Sequence, residues 1–291
     1  MKIKHGYYHL IAILTISIWG LTFISTKVLI HHGLTPQEIF FYRFLIAYIG
    51  IWVISPRKLF TDHWKDELWL LAGGICGGSC YFFTENTALQ ITQASNVAFI
   101  ICTAPLLTTI LSLLFYKNEK ATKGLIYGSL MALAGVGLMV FNGSFVLKIS
   151  PVGDLLTVAA ALSWAFYSLI IRKMSGRYST VFLTRKIFFY GVVTILPLFL
   201  LHPLRPDVDV LLQPSVLLNL LFLAVLASLV CYILWNMVLK QLGTLRASNY
   251  IYLNPLVTMV ASAAILHEHI TPVALGGAAC ILCGVYWAEK K

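Results

Sequence analysis

The chain is poor in charge: Asp, Glu, Lys and Arg make up 11% of its 291 residues, against about 25% in a typical soluble domain. It also lacks any polar stretch long enough to fold as a water-soluble domain between its apolar runs. No G-x-x-x-x-G-K-[ST] loop is present, which removes ATP-driven transport, and His267-Glu268-His269 does not have the H-E-x-x-H spacing of a zinc protease. Cysteine supplies no framework either. All six, Cys76, Cys80, Cys102, Cys231, Cys280 and Cys283, lie inside apolar runs, where they act as small hydrophobes, and the Cys280-x-x-Cys283 pair has no polar ligands beside it. No disulfide, metal or cofactor is expected. The leading Met1-Lys-Ile-Lys-His is not followed by a small-residue cleavage site and a hydrophilic mature domain, so the apolar run after it reads as a first span and not as a signal peptide.

What is there is apolar, with 59% hydrophobic residues and a mean hydropathy of +0.85. Crossing the ~30 Å hydrocarbon core takes roughly 20 mainly apolar residues, and such runs recur throughout. They fall near 7–30, 36–54, 68–90, 94–116, 121–141, 153–173, 178–201, 214–239, 244–266 and 272–288. The predicted fold class is an all-α membrane protein of ten transmembrane helices. An even count puts both termini on one side, and basic residues identify that side as cytoplasmic. Fifteen Lys and Arg fall in the segments that would then be inside, while only Lys148 and Arg205 fall in the external loops, around 142–151 and 202–214. The formal charge of +10 is thus explained by orientation in the inner (plasma) membrane, with the lipid bilayer as partner and no need of nucleic acid.

The two halves resemble each other. Trp19-Gly20 recurs as Trp164-Ala165 and Lys27 as Arg172, at an offset of 145. Asn86 recurs as Asn236 and Pro105 as Pro255, at 150. Glu119, Thr122, Gly128 and Gly135 recur as Glu268, Thr271, Gly277 and Gly284, at 149. These matches predict two units, 1–143 and 150–291, of five spans each. An odd number of spans makes the second unit enter the membrane from the opposite side. The expected architecture is therefore two inverted five-helix repeats, which in secondary transporters hold a substrate near the midplane between them.

Trp19-Gly20 in the first span, Arg43-Phe44 in the second, the Ala104-Pro105 of the fourth followed by Glu119, and their echoes in the second half resemble the ten-span EamA branch of the drug/metabolite transporter superfamily. The resemblance covers essentially the whole chain. It implies two five-helix bundles around a central cavity, alternating access, and export of amino acids or related small metabolites. Other members carry nucleotide-sugars, sugar phosphates or vitamins, so the resemblance does not name the substrate.

Ionisable groups inside spans are costly unless they face protein or a wet cavity, so each is a functional candidate. A helical projection of the first span puts Leu14, Leu21 and Val28 toward lipid, and gathers Trp19, Thr22, Phe23, Thr26 and Lys27 toward the bundle. Lys27, Arg43 and Glu85 are predicted to share the outer half of the membrane, where two cations and one carboxylate would suit a substrate carboxylate or phosphate. A plain ion pair holding helices together is the alternative. Tyr81 lies one turn from Glu85, Asn86 flanks it, and Gly73, Gly74, Gly77 and Gly78 mark close helix contact. The second half offers Trp164 and Tyr167, Tyr232 and Asn236, and Tyr252 and Asn254. The substrate-binding candidates are thus Trp19, Lys27, Arg43, Tyr81, Glu85, Asn86, Trp164, Tyr167, Tyr232, Asn236, Tyr252 and Asn254. Their aromatic wall would hold an apolar or aromatic side chain. Glu119 and Glu268 are expected to cap the helices that follow them, and Arg185 and Lys186 to reach the cytoplasmic interface along their aliphatic stems.

The function these features predict is a secondary transporter of a small metabolite, with no enzyme activity. Its rival is a membrane-embedded enzyme acting on a lipid-linked substrate, which would need acids, histidines or nucleophiles clustered near one interface. Asp207 and Asp209 begin such a cluster, but nothing extends it. Proton coupling through Glu85 and assembly as a homodimer stay open.

Overall fold

A computed structural model describes residues 2–54, 58–92, 94–116, 122–141, 150–201, 203–204, 208–257, 259–260 and 271–289. Among them every regular element is helical. The first half contains α1 (Lys2–Gly20), α2 (Thr22–His31), α3 (Pro36–Ile54), α4 (Trp64–Gly74), a π-helical segment at Ile75–Ser79, α5 (Cys80–Ile91), α6 (Ala94–Ile101), α7 (Ala104–Phe115) and α8 (Lys123–Phe141). The second contains α9 (Pro151–Ser175), α10 (Thr180–Ile195), α11 (Leu198–Leu201), α12 (Val208–Leu211), α13 (Pro214–Leu221), a second π-helical segment at Phe222–Val230, α14 (Cys231–Leu242), α15 (Thr244–Asn249), a 3₁₀ turn at Tyr250–Leu253 and α16 (Pro272–Glu289).

Seven helical stretches among the described residues are long and apolar enough to cross a membrane: Gly6–His31, Pro36–Ile54, Asn96–Phe115, Lys123–Val140, Pro151–Ser175, Thr180–Leu201 and Pro214–Leu242. The other three expected spans fall on different material. The expected 68–90 lies on the helical run α4–π–α5, and α16, with 17 apolar residues from Pro272 to Ala288, covers 272–288. Of 244–266, residues 244–257 and 259–260 are described, as α15, the 3₁₀ turn and further helix after it. Side chains such as Val53 and Leu200 stand more than four-fifths exposed, as a lipid-facing surface requires.

The first span is not one straight rod. Leu21 donates its N–H to Ile18, three residues back, and Thr22 Oγ1 donates to the Trp19 carbonyl at 2.7 Å. The helical phase therefore shifts between α1 and α2. Gly20 permits the break to sit against another chain segment, since a Cβ there would lie 3.0 Å from Val257 Cβ and 3.2 Å from the Asn254 carbonyl.

α8 and α16 meet on glycines. A Cβ on Gly128 would stand 2.4 Å from the Gly284 carbonyl oxygen, and one on Gly135 would stand 2.6 Å from that of Gly277. Residue numbers rise on one helix as they fall on the other, so the pair is antiparallel. Backbones this close gain dispersion contacts that larger side chains would forbid. Applying the 149-residue offset turns the contact between Gly128 and Gly284 into that between Gly277 and Gly135. Both helices are also capped alike: Thr122 Oγ1 accepts from Leu125 N–H at 3.1 Å, and Thr271 Oγ1 from Ala274 N–H at 3.2 Å. The caps are thus threonines; Glu119, Glu268 and the His267–His269 segment lie outside the described residues.

Candidate functional site

The two π-helical segments govern the middle of the molecule. Adding 150 to 75–79 gives 225–229, inside the second segment at 222–230. A π segment displaces carbonyls from their usual partners, and such segments recur at functional sites. Here side chains from the opposite half take up those carbonyls. Trp19 Nε1 donates to the Ala227 carbonyl at 2.9 Å, Tyr232 OH to that of Gly77 at 2.6 Å, and Ser163 Oγ to that of Cys76 at 2.9 Å. Gly77 and Ala227 are themselves 150 apart. The glycine matters on its side-chain face as well, because a Cβ at Gly77 would fall 2.2 Å from the Tyr167 ring.

Above these segments lies a cavity lined by Trp19, Thr22, Phe23, Arg43, Tyr81 and Phe82, together with Glu85, Ile101, Ala104, Trp164, Tyr232, Ile251 and Asn254. The space between its walls is about 530 Å³, part of it open to the surroundings. Its floor is a mesh of rings. Trp19 meets Trp164 edge-on at 5.3 Å between centroids, Tyr81 lies 5.2 Å from Trp164, and Tyr167 supports Trp164 from behind at 5.0 Å.

Two charges enter this apolar space. The Arg43 guanidinium is buried, donates from Nε to Ser228 Oγ at 2.9 Å, and lies 4.2 Å over the Phe82 ring. Among the described residues its two terminal nitrogens have no hydrogen-bond partner. Glu85 accepts the Tyr81 hydroxyl on Oε1 at 2.7 Å. Arg43 and Glu85 face the same cavity, yet no direct ion pair joins them among the described residues. Trp164 Nε1 is also buried without a partner there. An unpaired cation, a carboxylate with one oxygen uncommitted and an unused N–H donor form a set of complementary ligand groups inside a ring cage.

Seven of the twelve sequence candidates thus meet at one cavity: Trp19, Arg43, Tyr81, Glu85, Trp164, Tyr232 and Asn254. Four others stand behind it. Tyr167 donates to Asn236 Oδ1 at 2.7 Å and Asn236 Nδ2 to Thr184 Oγ1 at 3.0 Å, tying α9, α14 and α10 together. Asn86, the counterpart of Asn236, donates to the Pro36 carbonyl at 3.4 Å and ties α5 to α3. Tyr252 is buried in a separate cluster with Cys102 and Ile281. Lys27 does not join the set. It is exposed on α2 near the end of the span, where its ammonium keeps its water, while Thr22 and Phe23 of the same helix line the cavity. The expected group of three charges is therefore Arg43 and Glu85 alone. Arg185 and Lys186 are held by partners near one end of the bundle. Both are buried; Lys186 pairs with Glu67 at 2.8 Å, and Arg185 donates to the Lys58 carbonyl and stacks 4.7 Å over Trp52.

Sequence reasoning missed Ser228, Phe82, Ile101, Ala104 and Ile251. The repeat held the signal for two of them. At an offset of 150, Phe82 pairs with the candidate Tyr232 and Ala104 with the candidate Asn254, whereas Ile101 and Ile251 pair only with each other. Ser228 had no such marker beyond being a lone hydroxyl in an apolar run.

Comparison with known proteins agrees with this picture. The model of the EamA-like transporter family matches the chain twice, over residues 6–141 and 151–288. A protein of Archaeoglobus fulgidus named "Uncharacterized transporter" is 28% identical over 97% of both chains. Proteins named "Probable amino-acid metabolite efflux pump" are 27% identical in Salmonella typhimurium, over 98% of this chain and 95% of that one, and 25% identical in Escherichia coli, over 95% and 92%. One solved crystal structure superposes with a TM-score of 0.76, covering 98% of this chain and 96% of that chain at 19% identity, which shows a shared fold.

Proposed function

The chain belongs to the EamA-like transporter family and is a multi-pass membrane transporter; from the geometry of its cavity we propose that it exports amino acids or related compounds by alternating access. The observation that carries the substrate class is a guanidinium with two uncommitted terminal nitrogens and a carboxylate facing one ring-walled space. Arg43 takes the substrate carboxylate on its two terminal nitrogens, the planar fork that matches a carboxylate. Glu85, held by Tyr81, takes the ammonium group. Trp19, Trp164 and Tyr232 enclose the side chain, which favours apolar or aromatic groups. Asn254 completes the wall, while Asn86, Tyr167, Asn236 and Tyr252 keep the surrounding helices in place. A zwitterion leaves the site as neutral as it found it, which limits the electrostatic cost of moving the loaded site.

Our reading of the architecture is ten spans in two inverted repeats, 1–143 and 150–291, in the inner membrane with both termini cytoplasmic. Several features support it. The family model matches once in each half. The two glycine contacts between α8 and α16 exchange under the repeat offset, as they must about a two-fold axis lying in the membrane plane. Counterpart residues Trp19 and Trp164, Phe82 and Tyr232, Ile101 and Ile251, and Ala104 and Asn254 converge on the cavity from both halves. The basic bias of the loops supports the orientation.

Purified protein in vesicles, loaded in turn with labelled amino acids, sugar phosphates and nucleosides, tests the substrate class. Flux is expected for apolar or aromatic amino acids and is lost when either the carboxylate or the ammonium group is blocked. Flux of a sugar phosphate without amino-acid flux would overturn the assignment.

A further inference from the structure

One end of the molecule is fastened by buried charges. In the first turn of α4, Asp66 accepts from Arg177 Nη1 at 2.9 and 3.2 Å and from the Tyr178 hydroxyl at 2.8 Å. Its neighbour Glu67 pairs with Lys186 Nζ at 2.8 Å and accepts the Tyr190 hydroxyl and, at 2.7 Å, the Thr61 N–H. The Asp66 side chain is 3% exposed and that of Lys186 6%, while their partners reach further out, Arg177 at 59% and Glu67 at 19%. These contacts join α4, in the first half, to α10 and the turn before it, in the second. Between them and the cavity stand the Tyr167–Asn236–Thr184 chain and roughly 16 Å of α9 from Trp164 to Ser175. The clasp therefore lies at a distance from the ligand groups.

The repeat locates the corresponding contact elsewhere. An offset of 145 relates Arg177 to His32, and one of 150 relates Asp66 to Val216, next to Ser215. There Ser215 Oγ lies 3.1 Å from His32 Nε2, a single exposed hydrogen bond. Among the described residues the two places thus differ in their polar fastening: two ion pairs, each with one deeply buried member, in one copy, and one exposed hydrogen bond beside the apolar packing of Leu29, Leu34 and Ile39 with Val216 and Leu220 in the other. Removing Glu67 leaves the buried Lys186 charge uncompensated and removing Asp66 unties Arg177 and Tyr178, whereas an exposed hydrogen bond is replaced by water.

We propose that Asp66–Arg177 and Glu67–Lys186 form a gate that holds this end of the pathway shut and biases the transporter toward opening at the end where His32 meets Ser215. The inference rests on the alternating-access reading above. Rocking one half against the other must separate apolar packing at whichever end opens, and at the clasp end it must also break two ion pairs. The clasp end is the cytoplasmic one in the orientation proposed, so the resting transporter faces outward until loading shifts the balance.

Two-sided labelling tests this. With the native cysteines replaced, a reporter at Thr22→Cys in the cavity wall is reacted with an impermeant thiol reagent from either face of oriented vesicles. With the clasp intact, labelling from the His32 face is expected to dominate. Asp66→Asn, and independently Glu67→Gln, should raise labelling from the clasp face about tenfold or more relative to the other. Swapping the charges with Asp66→Arg and Arg177→Asp should restore the original ratio, and Ser215→Ala should leave it within about twofold. Unchanged ratios in variants that keep a folded elution profile would overturn the gate while leaving alternating access intact. A reporter reached from one face only, in every variant, would overturn both.

Discussion

The helical runs α4–π–α5 and α13–π–α14 are the same device used twice, and their differences separate motion from recognition. Each carries a π segment at the same place in its repeat, and each is followed by an asparagine that ties it to a neighbouring helix. The side chains that face the cavity do not match. The first run supplies Tyr81, Phe82 and Glu85; the second supplies Tyr232, and Trp235 takes the position equivalent to Glu85. On the reading proposed here, backbone features that act in both halves of a cycle are duplicated, while the groups assigned to one asymmetric ligand are present once. A two-fold site with two carboxylates would bind a zwitterion no better and would add a repulsion.

The largest effect is expected where the duplication is tightest. Gly135→Leu places a side chain into the Gly277 backbone, and Gly277→Leu does the same in reverse, so both should abolish folded protein in the membrane, as measured by detergent extraction and size-exclusion chromatography. A marked difference between the two would break the equivalence of the halves. Next comes the unduplicated chemistry. Arg43→Lys keeps the charge but loses the fork and the stacking on Phe82, and should weaken substrate binding by about 30-fold or more, corresponding to roughly 2 kcal/mol or more. Trp19→Ala and Trp164→Ala should each reduce transport more than they reduce folded protein, by about tenfold. Normal transport in both variants would remove the rings from the site.

The smallest effect belongs to the clasp and sharpens the contrast between the two ends. Burial alone would raise the Asp66 carboxyl, but hydrogen bonds from Tyr178 and Arg177, helped by the charge of Arg177 and by His63, hold it below the usual carboxylate range. A carboxyl lowered in the folded state contributes stability above its unfolded value and loses it as pH falls through the folded one. The difference in Tm between the native protein and Asp66→Asn should therefore persist from about pH 8 to about pH 5 and close only below about pH 4. A gap that closes near neutral pH would show that another group holds this end.

Much of this was legible from the residues. Apolar runs gave the helices, and the recurrence of Trp19 as Trp164 identified two rings that prove to touch. Lys27 was misplaced because a projection gives the face of a helix and not how far a long cationic side chain at its edge reaches back to water. Trp19, Thr22 and Phe23 of that face do line the cavity. The π segments were hidden for another reason: Ile75–Ser79 and Phe222–Val230 have compositions that suit an α-helix, and only the packing of the opposite half takes up the carbonyls they free. The clasp joins Asp66 to Arg177, 111 residues apart, and a loop charge shows nothing in sequence of its partner across the fold.

The role of Glu85 is the most direct test of a site built to hold a zwitterion. In vesicles containing Glu85→Gln, substrate binding, downhill exchange and proton-driven flux are to be measured side by side for the amino acid that the native protein carries best. Loss of binding together with both fluxes is expected, since the carboxylate that receives the ammonium group is gone. Intact binding and downhill exchange, with proton-driven flux alone abolished, would contradict this and make Glu85 a proton carrier instead of a ligand.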